Sequence, residues 1–128
     1  MDGPIAVLPE LTRGVLKAAF EVHRNLGPGL LESTYRECLV KELKTAGHSV
    51  EREVPIPIAY KDLRIDGAYR ADLIVDRAVI VELKAVDQVL PVHEAQTLTY
   101  LKLSGLKVAL LLNFNTRRLQ HGIRRFVR

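Results

Sequence analysis

Residues 106–114, LKVALLLNF, restrict the possible folds of this chain more than any other stretch. An apolar run that does not alternate is a strand covered on both faces. Before it lies PVHEAQTLTYLKLSG, which reads as a helix closed by Gly105. Before that, AVIVELKAV reads as a second strand. Strand, helix and strand form a βαβ unit, expected to cross over right-handedly with its strands parallel. A sheet with helices on its faces follows.

The remaining segments fit around that unit. Leu11, Val15, Ala18, Val22 and Leu26 recur at helical spacing, predicting a helix over residues 9–26 that Asn25–Gly29 stops. A second helix is expected from Leu30 to Ala46, ending at Gly47. SVEREVPIPIAY carries two prolines and reads as an edge strand or a bent one. Lys61 to Gly67 reads as a turn region, and AYRADLIV pairs with AVIVELKAV in a hairpin around Asp76-Arg77. GIRRFVR is the candidate for a last edge strand. The expected order is α-α-β-β-β-α-β-β, a mixed α/β (α+β) class in one domain spanning residues 1–128.

Composition excludes several classes. No apolar run approaches the ~20 residues that span a bilayer, so no membrane association is expected. MDGPIAVLPE has no basic stretch ahead of its apolar residues, as a signal peptide would. Cys38 is the single cysteine, which excludes an internal disulfide framework and a cysteine zinc site. A cytoplasmic location is the expectation. The net charge of +4 and a pI near 9.4 lean towards a polyanionic partner. The tail holds Arg117, Arg118, Arg124 and Arg125 without an acid, either a solvated basic edge or a phosphate-binding surface.

Charges inside apolar segments carry the functional signal. Glu82 and Lys84 interrupt the strand AVIVELKAV, and side chains two apart share a face. Asp72 interrupts the facing strand. A two-residue turn at 76–77 would put Asp72 on the wrong side, so a three-residue connection or a β-bulge is predicted. Two carboxylates and a lysine would then converge. A buried ion pair of Lys84 with one acid is the simpler alternative, but it leaves a spare carboxylate. In the second helix Glu32, Tyr35, Leu39 and Leu43 fall on one stripe. With Gly29 as N-cap, Glu32 would be the third helical residue, where an acid favours the helix dipole. Gln96 and Tyr100 are i,i+4 neighbours predicted to share a sheet-facing stripe with Val92 and Leu103. His93, beside Glu94, reads as a cap or surface residue.

These residues together carry a family resemblance. Gly29-x-x-Glu32-x-x-Tyr35 resembles the signature of the GxxExxY protein family, within the PD-(D/E)XK nuclease superfamily. Asp72 followed by Glu82-Leu83-Lys84 resembles that superfamily's separated Asp and (D/E)-x-K elements, with Ala71 where its pattern has proline. Gln96-x-x-x-Tyr100 is similar to its QxxxY element. The resemblance covers about residues 10–127 and implies a restriction-endonuclease-like mixed β-sheet flanked by helices. It implies Mg²⁺-dependent hydrolysis of phosphodiester bonds, with DNA the expected substrate and Mn²⁺ a possible substitute for Mg²⁺. Asp72, Glu82, the Leu83 carbonyl and Glu32 would be the metal ligands, Lys84 would act on the attacking water, and Gln96 and Tyr100 would position it. Specificity would come from substrate structure, a homodimer or a partner protein. The alternative is a catalytically silent module on the same scaffold that binds nucleic acid or a protein.

Overall fold

The computed structural model describes residues 4–128. Helix α1 runs over Pro4–Leu26 and so begins earlier than the spacing suggested, with Pro9 inside it. A proline near a helix start forfeits one backbone bond, and the Thr12 hydroxyl donates to the Pro9 carbonyl at 3.0 Å. Gly27, at φ +68°, ends the helix in the left-handed region that suits glycine. Helix α2 spans Glu32–Thr45 with Leu31 as its N-cap. Gly29 is therefore not the cap, and Glu32 is the first helical residue rather than the third. Its acid still lies in the first turn, where the helix dipole favours it.

Strand β1 (Val50–Pro55) is followed by two short strands, β2 (Ile58–Tyr60) and β3 (Leu63–Ile65). These two form a separate antiparallel ribbon: β2 ends the segment read as an edge or bent strand, and β3 lies in the segment expected to be only a turn. Its residues Tyr60, Leu63 and Ile65 stay exposed. The ribbon was missed because no sheet buries it, so no burial pattern marked it.

Then come β4 (Arg70–Val75), β5 (Val79–Lys84), α3 (Pro91–Ser104), β6 (Val108–Asn113), a 3₁₀ turn (Leu119–Gly122) and β7 (Ile123–Val127). The main sheet has the order β1-β4-β5-β6-β7. The β5–β6 pair is parallel and the others antiparallel, as the βαβ reading required. β1 with its proline and β7 with its arginines are the edges. Helices α1 and α2 cover one face over Leu73, Val79, Val81, Leu83, Leu110 and Leu112. α3 covers the other with Tyr100 and Leu101 over Ile74, Ile80 and Ala109. β6 is buried along its whole length, which explains its unbroken apolar run.

Candidate active site

The β4–β5 connection decides whether the charged residues meet. Val75 pairs with Val79 across Asp76-Arg77-Ala78, a three-residue turn as predicted. Asp76 and Arg77 both take positive φ there, and the Ala78 N–H donates to the Val75 carbonyl at 3.0 Å. This register carries Leu73 opposite Val81 and hence Asp72 to Glu82. Beyond that point side chains replace the backbone ladder. The Asp72 N–H donates to Glu82 Oε1 and the Leu83 N–H donates to Asp72 Oδ2, both at 2.9 Å. The two carboxylates are thus held side by side by the backbone of each other's strand.

Their electrostatics are adverse. Glu82 is only 4% exposed. Burial first, and then the neighbouring Asp72 charge, push its pKa up to about 8, which the Lys84 ammonium only partly counters. Glu32, at the start of α2, senses the same charges: burial, then the Asp72 charge, raise its pKa, against the pull of Lys84, Arg36 and His93. Its Oε2 lies 3.7 Å from Arg36 Nη2. Tyr100 is raised by burial, then by Glu82, Asp72 and Tyr69, while Gln96 pulls it back. Lys84 has no salt-bridge partner among the described residues. The simple ion pair is therefore not what the strand builds.

A five-strand mixed sheet flanked by helices, with an acid on each of two adjacent strands and a lysine two residues on, is a restriction-endonuclease-like arrangement. A family model for the PD-(D/E)XK nuclease superfamily matches residues 9–126. The chain belongs to the PD-(D/E)XK nuclease superfamily. No curated protein and no solved structure matches it. Members of this superfamily are phosphodiester-hydrolysing nucleases that generally use divalent metals, which points to nucleic acid as the substrate class. Among the described residues no helix is long and apolar enough to cross a membrane.

The residues suit a hard cation in one respect and fall short in another. Asp72 and Glu82 offer adjacent oxygens whose combined charge asks for a cation, the donor type Mg²⁺ prefers. Among the described residues no three His, Cys, Asp or Glu side chains gather closely enough to form a full metal cage. Mg²⁺ keeps several waters and needs only one or two carboxylates, so the pair fits it.

The other expected residues divide. Tyr100 is buried, but Gln96, Val92 and Leu103 are exposed, so the proposed sheet-facing stripe is corrected. Thr97, Tyr100 and Leu101 face inward instead: Tyr100 and Leu101 pack on the sheet, and the Thr97 hydroxyl, donating to the His93 carbonyl at 3.0 Å, can be buried beside them. Apolar residues lie all around this helix, which left its inner face ambiguous. His93 is a cap, its Nδ1 accepting the Leu90 N–H at 3.0 Å. Tyr35 is fully buried, and its hydroxyl donates to the Gly27 carbonyl at 2.5 Å and accepts the Leu30 N–H. Arg117 and Arg118 are exposed and line a hollow of about 360 Å³ with His121. Arg124 and Arg125 are adjacent on β7 and point to opposite faces, so the four arginines form no single patch. Arg124 approaches Glu94 at 4.0 Å. Sequence reasoning missed Arg36, one turn after Glu32, and Asn113, a polar residue closing an apolar run.

Proposed function

We propose that the chain is a Mg²⁺-dependent nuclease that hydrolyses phosphodiester bonds in DNA, with Asp72, Glu82 and Lys84 as its chemical centre. One observation carries the reading: two carboxylates are held together at the open end of the β4–β5 hairpin, beside a lysine with no acid partner among the described residues. Burying acids this way costs stability, and a metal-binding role accounts for that cost.

Asp72 and Glu82, with the Leu83 carbonyl, would hold Mg²⁺, and Glu32 would contribute directly or through water. When bound, the metal supplies Lewis acidity and neutralises phosphate charge. Lys84 orients the attacking water and pairs with a non-bridging oxygen of the scissile phosphate. The water oxygen bonds to phosphorus as the P–O bond of the leaving strand breaks. The leaving oxygen takes up a proton and the water gives one to solvent. Tyr100, its pKa raised by burial and then by the charges of Glu82 and Asp72, keeps its proton beside the acids. Gln96 orients that hydroxyl. Arg117 and Arg118 take flanking phosphates through charge alone, and Arg124 and Arg125 extend contact along the β7 edge. Mn²⁺ is expected to replace Mg²⁺. The Gly29-x-x-Glu32-x-x-Tyr35 pattern supports placement in the GxxExxY group. A single cysteine is consistent with a cytoplasmic setting. Nothing here reads bases, so specificity comes from substrate structure, a homodimer or a partner.

The test incubates plasmid, linear duplex, single-stranded DNA and RNA with Mg²⁺ or Mn²⁺, comparing wild type with Glu82→Ala and Lys84→Ala. Metal-dependent cleavage lost in both variants is expected. No such cleavage of any substrate overturns the reading.

A further inference from the structure

Asn113 is 2% exposed at the end of an otherwise apolar strand, in register with Lys84. Its amide grips the chain just past that lysine from both sides. Nδ2 donates to the Val86 carbonyl at 2.9 Å, and Oδ1 accepts the Val86 N–H at 3.1 Å. The Phe114 N–H donates to the Lys84 carbonyl at 2.9 Å. The exit of β5 is therefore tied to the end of β6 at the Lys84 carbonyl and again two residues on, at Val86.

The next two residues hold the loop before α2, the helix that begins at Glu32. The Phe114 ring stacks on Tyr35 with centroids 4.7 Å apart and planes at 12°. Tyr35 in turn pins the loop before α2 through Gly27 and Leu30. Asn115 Oδ1 accepts the Gly29 N–H at 3.1 Å, its Nδ2 donates to Asp87 at 3.2 Å, and its own N–H donates to Asn113 Oδ1 at 3.2 Å. Gly29, at φ +102°, lies three residues before Glu32. Gly122 lies so close to the Asn113 carbonyl that a side chain there would collide with it.

We infer that Asn113-Phe114-Asn115 is a clamp that fixes the Lys84 strand exit and the Glu32 helix start relative to one another, with Asn113 and Asn115 as positioning residues. Two loops distant in sequence and a strand end meet on three consecutive residues. A buried asparagine satisfied only by backbone costs more than an apolar residue unless the geometry it imposes is needed. Lys84 and Glu32 both sit on long or terminal positions, where a shift of about 1 Å lowers rate severely. The clamp's purpose rests on the nuclease reading; its existence does not.

Amide hydrogen exchange on the full chain tests the existence. Asn113→Ala is expected to speed exchange about tenfold at Val86 and at Gly29 together, and Asn115→Ala at Gly29. An unchanged Gly29 rate in Asn113→Ala overturns the clamp. Should Asn113→Ala not fold, Asn113→Asp keeps the oxygen that accepts from the Val86 and Asn115 N–H groups but replaces the Nδ2 donor with an oxygen that repels the Val86 carbonyl. It is then expected to speed Val86 more than Gly29, and equal rates to wild type overturn the clamp. Cleavage of linear duplex with Mg²⁺ tests the purpose. Asn113→Ala is expected to lower kcat by about 10- to 100-fold with KM unchanged, and to have no further effect in a Lys84→Ala background. An equal loss in both backgrounds overturns the positioning role. Wild-type protein that cleaves nothing counts against the nuclease reading, and the exchange result alone then decides the clamp.

Discussion

The two ends of the β4–β5 hairpin each hold a carboxylate, and they treat it in opposite ways. At the turn, Asp76 accepts hydrogen bonds from His48 Nδ1 at 2.6 Å, from the Ser49 N–H at 2.9 Å and from the Ser49 hydroxyl at 3.3 Å. Burial pushes its pKa up, but these bonds outweigh burial and hold it below the usual carboxylate value. At the open end, Glu82 is more deeply buried and faces another acid, and its pKa rises to about 8. One carboxylate has every partner needed to stay charged. The other is placed where its charge is least welcome. The turn uses its polar groups for stability, whereas the open end keeps an acid that burial and Asp72 disfavour as an anion, so the metal-free protein holds it protonated up to about pH 8.

The strongest way to break this contrast is to remove the acid at the open end. Glu82→Ala is expected to lower kcat/KM for nucleic-acid cleavage by about 10³-fold or more. The same change is expected to raise the melting temperature of the metal-free protein, because a poorly solvated acid disappears. A fall in melting temperature would place Glu82 with Asp76 as a stabilising residue. Lys84→Ala is expected to lower kcat by about 10²- to 10³-fold, with its melting temperature near wild type, since no ion pair is lost. Circular dichroism melts and steady-state cleavage assays check both.

A smaller effect is expected at the turn. Asp76→Asn is expected to cost roughly 1–3 kcal/mol in urea unfolding through weakened bonds to His48 and Ser49, with cleavage unaffected. The two ends also respond to pH with opposite signs. Asp76, with its pKa lowered, contributes stability that is present above its unfolded pKa near 3.8 and is lost as pH falls through its folded pKa. Glu82, with its pKa raised, holds its proton in the folded state after the unfolded chain has lost it. Its contribution is full below 4.5 and is lost as pH rises through about 8. Urea titrations of metal-free protein across that window are expected to show stability falling in wild type and a flatter profile in Glu82→Gln. The smallest expected effect is at Gly29, where alanine at φ +102° is expected to cost about 1 kcal/mol, read as a slightly lower melting temperature.

Much of this arrangement is legible in the chain itself. The unbroken apolar run of β6 and the helix before it determine the parallel β5–β6 pair, because only a strand covered on both faces can dispense with alternation. The need to put Asp72 beside Glu82 determines the three-residue turn, since side chains alternate faces with a period of two. Interrupted apolar runs mark Glu82, Lys84 and Asp72, because a charge there must have a use. What tertiary structure decided lies where local pattern is silent. The inner face of α3, with Tyr100 buried and Gln96 exposed, depends on which side the sheet approaches a helix that is apolar all round. The β2–β3 ribbon buries too little to leave a pattern. Asn113 and Asn115 gain their meaning only from Val86, Asp87 and Gly29, residues 27 or more positions away. Strand patterns arise from neighbours along the chain and can be read there, whereas hydrogen bonds between distant loops exist only once packing has brought those loops together.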